Sequence, residues 1–277
     1  MDSYNPPMRN LLDKTILISG GTSGIGKATA LACLKAGMRV SICGRNAEKL
    51  EEARLELVAG VEPRAPMRVH ACAADVTRQG DMRAWVDAAQ AAFGRIDAVY
   101  CNAGYGLMKP VLAHTDAESR ALFETNYYGT LNLIAAAMPK MREAPGGLRH
   151  ILVCSSAAGK IGLPHYGVYS ATKAAQDSIV SAMRAELHDE GFSVSGIYPT
   201  GTETEFFKVA GSNGKSNTPS WMEQTPDQVA SAILGGLRRP RPEIWPCWKT
   251  RVGIVAGTVF PRLAARLMLR FYRGKLG

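Results

Sequence analysis

The 277-residue chain has no run approaching the ~20 apolar residues that a membrane span requires. Its opening residues, M-D-S-Y-N-P-P-M-R-N, lack the apolar stretch of a signal peptide. Both features lead to the expectation of a cytoplasmic protein. The six cysteines contain no C-x-x-C spacing and no zinc-like cluster, and the five histidines are scattered. Buried, reduced thiols are therefore expected, and no metal. No G-x-S-x-G elbow supports a hydrolase, and no repeat or low-complexity tract interrupts the chain. Acid is missing from one region: between Lys249 and Gly277 there are seven basic residues and no Asp or Glu.

An apolar fraction of 46% suffices for a large core, and the length suits one domain. Short β-branched or apolar runs near 15–19, 38–43, 68–73, 97–101, 148–154, 192–197 and 243–246 read as strands, with helical stretches between them. Such alternation implies an α/β fold, a doubly wound parallel sheet of about seven strands covered on both faces. Thr225-Pro226-Asp227-Gln228 is a capping box with proline at the first helical position. The sheet domain is expected to occupy 1–248, with a helical extension over 249–277.

The strand Thr15 to Ser19 runs into Gly20-Gly21-Thr22-Ser23-Gly24-Ile25-Gly26 and then a helical segment. Strand, glycine-rich turn and helix N-terminus in that order make an anion site, because the backbone can approach a pyrophosphate and the helix dipole favours its charge. After the second strand the chain reads Gly44-Arg45-Asn46. A carboxylate in this place would grip the ribose of NAD, whereas a guanidinium suits a 2′-phosphate. Arg45 thus favours NADP(H), unless it caps the next helix or stands solvated.

Tyr169 and Lys173 are four residues apart, and Ser156 precedes the tyrosine by thirteen. On a helix over 166–190 the first two share a face. A free phenol titrates at roughly 10. A positive charge about 4 Å away, at an effective dielectric of about 20, is worth on the order of 4 kcal/mol. That would bring the phenol to around 7, where general acid–base catalysis works best. Ser155 is the less favoured hydroxyl, since its side chain should face the opposite side of an extended segment. His165 stands close enough in sequence to line the same pocket.

Taken together, these motifs resemble the classical short-chain dehydrogenase/reductase family over roughly residues 12–246. Ser19 to Gly26 matches its TGxxxGIG loop. Asp75-Val76 matches the pair that contacts adenine, and Cys101-Asn102-Ala103-Gly104 its NNAG, with Cys101 for the first Asn. Asn126, Ser156 and the Tyr169/Lys173 pair match the catalytic residues. Tyr198-Pro199-Thr200 stands where the family has its PG motif. Pro199, Thr202 and Thr204 fall where that segment contacts the cofactor, Thr204 at the nicotinamide carboxamide.

The resemblance implies hydride exchange between NADPH and a carbonyl or secondary alcohol. Tyr169 would act as general acid–base, and Ser156 would hydrogen-bond the reacting oxygen. Lys173 would lower the phenol pKa and bind the ribose, and Asn126 would hold a water linking Lys173 to solvent. A homodimer or homotetramer pairing through the helices near 166–190 and 116–142 is implied as well. A non-redox relative such as an epimerase or dehydratase, and a cofactor-binding sensor or scaffold, are the alternative readings.

The segment 205–223 should form a flap with Phe206, Phe207, Val209, Trp221 and Met222 as apolar members. Tyr105, Leu107, Met108, Val111, Ile161 and Leu163 should edge the same pocket. The expected substrate is an apolar, lipid-like or steroid-like carbonyl or alcohol; Lys109, Lys160 and Lys208 are the basic residues that could alter this. In 249–277, arginines at 262, 266, 270 and 273 form one helical stripe, with Leu263, Leu267 and Phe271 on another face. Such a helix either packs on protein or lies on an anionic membrane surface. Nucleic-acid binding is not expected, because interleaved aromatics are absent.

Overall fold

The computed structural model describes residues 8–61, 65–202, 204, 206–211 and 218–273. Its strands are β1 (Thr15–Ser19), β2 (Arg39–Gly44), β3 (Val69–Ala73), β4 (Ala98–Cys101), β5 (His150–Cys154), β6 (Ser193–Ile197) and β7 (Glu243–Ile244). Its helices are α1 (Gly24–Lys35), α2 (Ala47–Ala59), α3 (Gln79–Phe93), α4 (Asp116–Phe123), α5 (Gly129–Glu143), α6 (Gly167–Glu186), α7 (Phe206–Val209), α8 (Pro226–Arg238), α9 (Trp248–Val259) and α10 (Pro261–Arg273).

The strands form one sheet in the order β3-β2-β1-β4-β5-β6-β7. All neighbours are parallel. Successive strand side chains point to opposite faces, and here both faces are apolar. Ile16, Ile18, Val40, Ile42, Ala98 and Tyr100 pack with α1, α2 and α8. Leu17, Cys43, Val99, Cys101, Ile151 and Val153 pack with α3, α5 and α6. Burial on both sides explains why these strands are continuous apolar runs.

The order reverses direction between β1 and β4, so a crevice opens where their C-terminal ends part. Ser19, Gly44, Ala73, Cys101 and Cys154 all end on that edge of the sheet.

Three local features differ from the sequence reading. β7 stops at Ile244, because Trp245 turns to stack on Tyr198 with ring centroids 4.4 Å apart and Pro246 has no N–H to offer a ladder. The long helix expected near 116–142 is broken by a π turn at Glu124–Tyr128, between α4 and α5. The third is the C-terminal pair: α9 and α10 bend by 119° at their junction. α9 leans on the short turn Ala157–Gly159, and α10 packs chiefly on α9. The capping box forms as read, with Gln228 N donating to Thr225 Oγ1 at 3.3 Å and Thr225 N to Gln228 Oε1 at 3.0 Å.

Candidate active site

The glycine loop is fixed from below. Ser19 Oγ accepts from the N–H groups of Asn102 (3.0 Å) and Ala103 (3.1 Å). The Asn102 amide in turn donates to the carbonyls of Ser19 and Gly20, at 3.1 and 3.0 Å. Serine therefore does the work at the head of this loop, and Asn102 is the brace between β1 and β4.

Gly24 has φ 52°, a left-handed conformation that other residues adopt at a cost. A Cβ on Gly26 would lie 2.2 Å from the Gly20 carbonyl oxygen, so no side chain fits there. Ser23 precedes α1 without capping it, and no acidic residue stands in the first turn. The first amides of α1 thus keep their capacity to bind an anion. A nucleotide pyrophosphate fits this cradle.

From the loop a cavity of about 850 Å³ runs past Gly104, Ser156 and Tyr169 to the C-terminal helices. Ser156 follows β5 and Tyr169 lies in the first turn of α6. Both side chains line the cavity together, and Ser156 Oγ accepts from Ala158 N at 3.1 Å. Ser155 is turned away, its Oγ donating to the Lys173 carbonyl at 3.2 Å. Phe206 covers the phenol, ring to ring at 5.3 Å.

Lys173 is buried, with Nζ donating to Cys154 O at 2.6 Å and to Gln176 Oε1 at 2.9 Å. It lies 5.7 Å from the centre of the Tyr169 ring. Burial pushes the Tyr169 phenol well above its ordinary range, opposed by the neighbouring Ser156 side chain. Burial likewise lowers Lys173. The expected descent of the phenol to around 7 is therefore not produced by these protein groups, because the ammonium is drawn toward the β5 carbonyl and Gln176.

Asn126 sits in the π turn, fully buried. Its side chain accepts from Tyr105 N and donates to Tyr105 O and Thr172 Oγ1. Its main-chain carbonyl accepts from Gln176 Nε2 at 2.7 Å and from Thr130 Oγ1 at 2.8 Å. Gln176 thus joins Asn126 directly to Lys173, across the gap where the resemblance implied a water. Sequence reasoning missed Gln176. Its signal was a polar residue three positions after Lys173, hence on the same helix face.

Arg45 stands exposed just past β2. The helix cap is its neighbour, Asn46, whose side chain accepts from Lys49 N at 2.9 Å. Arg45 itself makes no hydrogen bond or ion pair among the described residues. Burial raises the Asp75 carboxyl, but the backbone and hydroxyl of Thr77 and the charges of Arg45 and Arg78 outweigh it and hold it low. Val76 packs into the core against Gly129. Arg45, Asp75 and Val76 lie beyond the cavity lining, at its glycine-loop end.

On the other side, Thr204 packs against the loop, its Cγ2 standing 2.8 Å from where a Gly24 Cβ would be. The Pro199 carbonyl accepts from Ala157 N at 3.0 Å. Thr200 donates from Oγ1 to Met222 O at 2.5 Å, and Thr202 bridges Gln224. Threonine in the glycine's place therefore ties down the far side of the flap. Residues 205 and 212–217 of the expected flap lie outside the described residues.

The far end of the cavity is apolar, edged by Ile161, Leu163, Phe206, Phe207 and Met222. Trp221 and Val111 point outward, at 60% and 56% exposed. His165 does not line the cavity; its carbonyl accepts from Lys109 N at 2.7 Å. Lys109 is paired with Glu118 at 2.8 Å. Lys160 lies on the wall but is held by Asp177 at 2.6 Å and Glu243 at 3.0 Å, which leaves it little charge for a substrate anion. Thr250, Ile254, Leu267 and Met268 of α9 and α10 close this end, a use of the extension that its sequence did not disclose.

The short chain dehydrogenase family model matches residues 14–214. An uncharacterised oxidoreductase of Listeria monocytogenes is 32% identical over 234 residues, 82% of this chain and 92% of the relative. Dehydrogenase/reductase SDR family member 7B of Bos taurus is 31% identical over 238 residues, 83% and 72% of the two chains.

Among solved structures, the 3-ketoacyl-(acyl-carrier-protein) reductase of Brucella melitensis complexed with NADH aligns with a TM-score of 0.75 at 26% identity, over 85% of this chain and 97% of its own. A short chain dehydrogenase/reductase of Burkholderia phymatum in complex with NAD shares the fold, with a TM-score of 0.79 at 21% identity over 93% and 97%. With the glycine cradle and the Ser156–Tyr169–Lys173 arrangement in place, the chain belongs to the short-chain dehydrogenase family and is an oxidoreductase of that type.

Proposed function

We propose that the chain is an NADP(H)-dependent enzyme that interconverts an apolar carbonyl compound and its secondary alcohol, with Tyr169 as general acid–base. The observation that carries this reading is that Ser156, Tyr169 and Lys173 meet on the wall of one cavity, which begins at a nucleotide cradle and ends in apolar side chains. The nicotinamide, when bound, supplies or accepts the hydride.

The first-turn amides of α1 hold the pyrophosphate and Arg45 meets the 2′-phosphate. Thr204, beside the loop, orients the carboxamide. Ser156 donates to the substrate oxygen, where charge grows as the carbonyl is reduced. Tyr169 delivers the proton to the same oxygen. Its burial keeps it protonated at neutral pH, which suits an acid in the reductive direction. Lys173, braced by Cys154 O and Gln176, sets the positive charge behind the phenol.

The substrate is apolar because the cations nearest the cavity are either catalytic or already neutralised. In this reading the protein is cytoplasmic and pairs as a homo-oligomer through α4–α5 and α6. Titration with NADPH and NADH, followed by protein fluorescence, tests the cofactor assignment. NADPH is expected to bind at least tenfold tighter, about 1.4 kcal/mol, and Arg45→Glu to abolish that preference. Equal affinities in the unmodified chain would remove Arg45 from the site.

A further inference from the structure

The C-terminal pair has two apolar sides. One lines the cavity, through Ile254 of α9 and Met268 of α10 among others. The other faces outward. Trp248, Val252, Val255 and Val259 recur along α9 at helical spacing and are 56–68% exposed. Phe260 and Leu263 carry the apolar surface round the bend, at 60% and 55% exposed. Contiguous apolar side chains exposed in this way mark a docking face.

Charge says what docks there. The extension holds seven basic residues and no acidic one, so it carries seven of the chain's nine net positive charges. Arg262, Arg266 and Arg270 recur every four residues along one exposed side of α10. A second copy of the chain would set like charge against like charge across this face. An anionic bilayer would satisfy both features at once, apolar side chains entering the acyl boundary and arginines reaching the headgroups.

Neither helix spans by itself, and the two meet at a bend of 119°. No single helix among the described residues is long and apolar enough to cross a membrane. A helix of α9's twelve residues is roughly 18 Å long, against a hydrocarbon core of about 30 Å.

We propose that α9 and α10 form a plate that docks on an anionic lipid surface. One side lies in the headgroup layer and the other lines the cavity, so that an apolar substrate passes from lipid to Tyr169. Substrate delivery rests on the proposed reaction; docking does not, and the two are measured separately.

The full chain is floated with vesicles of phosphatidylcholine, alone or with one part in three phosphatidylglycerol, while NADPH affinity is followed in solution as a check on the fold. Flotation is expected with the anionic vesicles only. Arg262→Gln/Arg266→Gln/Arg270→Gln should weaken it at least about tenfold, and Val255→Asp/Val259→Asp should abolish it. NADPH affinity should stay unchanged in both. No flotation of the unmodified chain would overturn docking. So would flotation that the variants leave unchanged, or aspartates that dissolve a dimer instead.

For delivery, a long-chain ketone dissolved in anionic vesicles should be reduced about tenfold faster by the unmodified chain than by the arginine variant, and a water-soluble ketone equally by both. Equal rates on the vesicle-borne ketone would overturn delivery, and no turnover of either ketone would overturn the reaction while leaving docking intact.

Discussion

The two ends of the cavity are built on opposite plans. At the nucleotide end the framework is fixed by hydrogen bonds: Ser19 and Asn102 brace the loop, and Gln176 bridges Lys173 and Asn126. Backbone passes so close to backbone that a methyl group has no room. At the far end the wall is a bent helix pair, apolar on two sides and leaning on the domain along one short turn. Chemistry requires atoms held to a fraction of an ångström, whereas enclosure of an apolar molecule requires only shape and dryness. The first region is therefore intolerant and the second permissive.

The sharpest way to sharpen that contrast is Tyr169→Phe. Turnover should fall by about 10³-fold or more, while NADPH affinity stays within a factor of two. A variant retaining a tenth of the activity would take the acid–base role away from Tyr169.

Next in size is Gly26→Ala, whose Cβ would meet a backbone oxygen at 2.2 Å. The loop must shift, at a cost of about 1–3 kcal/mol, seen as a lower urea midpoint and lost nucleotide binding. A neutral result would show the loop to be as yielding as the far end.

The pH profile follows from the raised phenol. Reduction uses the protonated form and should be flat from pH 6 to 8. Oxidation needs the phenolate, so its rate should climb with pH, by up to about tenfold per unit. Gln176→Leu removes an acceptor from an ammonium that burial already disfavours. Lys173 then loses charge more readily, the phenol rises further, and the oxidative limb should move to higher pH. An unmoved limb would leave Gln176 as packing alone.

The smallest effect belongs to the far end. Gly253 lies within α9 with open space around its missing Cβ, so Gly253→Ala should raise stability by up to about 1 kcal/mol without altering NADPH binding. A loss of stability would mean that α9 is as tightly seated as the loop.

The same division decided what the sequence disclosed. The strands are legible because both faces of the sheet are buried, leaving apolar runs such as Thr15–Ser19 and His150–Cys154. The glycine loop is legible because its contacts tolerate few other residues. The π turn at Glu124–Tyr128 left no trace, since E-T-N-Y-Y contains neither proline nor glycine and its register is set by tertiary bonds to Asn126. The flap was half legible. Phe206 and Met222 read as lining, and they line; Trp221 read the same way and faces solvent, because hydrophobicity does not reveal the side of a short turn. For the extension, composition gave the apolar stripe but could not tell that one side of it would become the cavity wall.

The brace between β1 and β4 also constrains how the chain folds. Ile16 pairs with Ala98, so some eighty residues must be looped out before the central pair of the sheet can close. Contacts of such long range slow folding, and the nucleotide cradle straddles this pair. A nucleotide therefore recognises only chains that have already completed their slowest closure. Added NADPH should leave the folding limb of a chevron in place and lower the unfolding rate, acting as a latch on the finished protein.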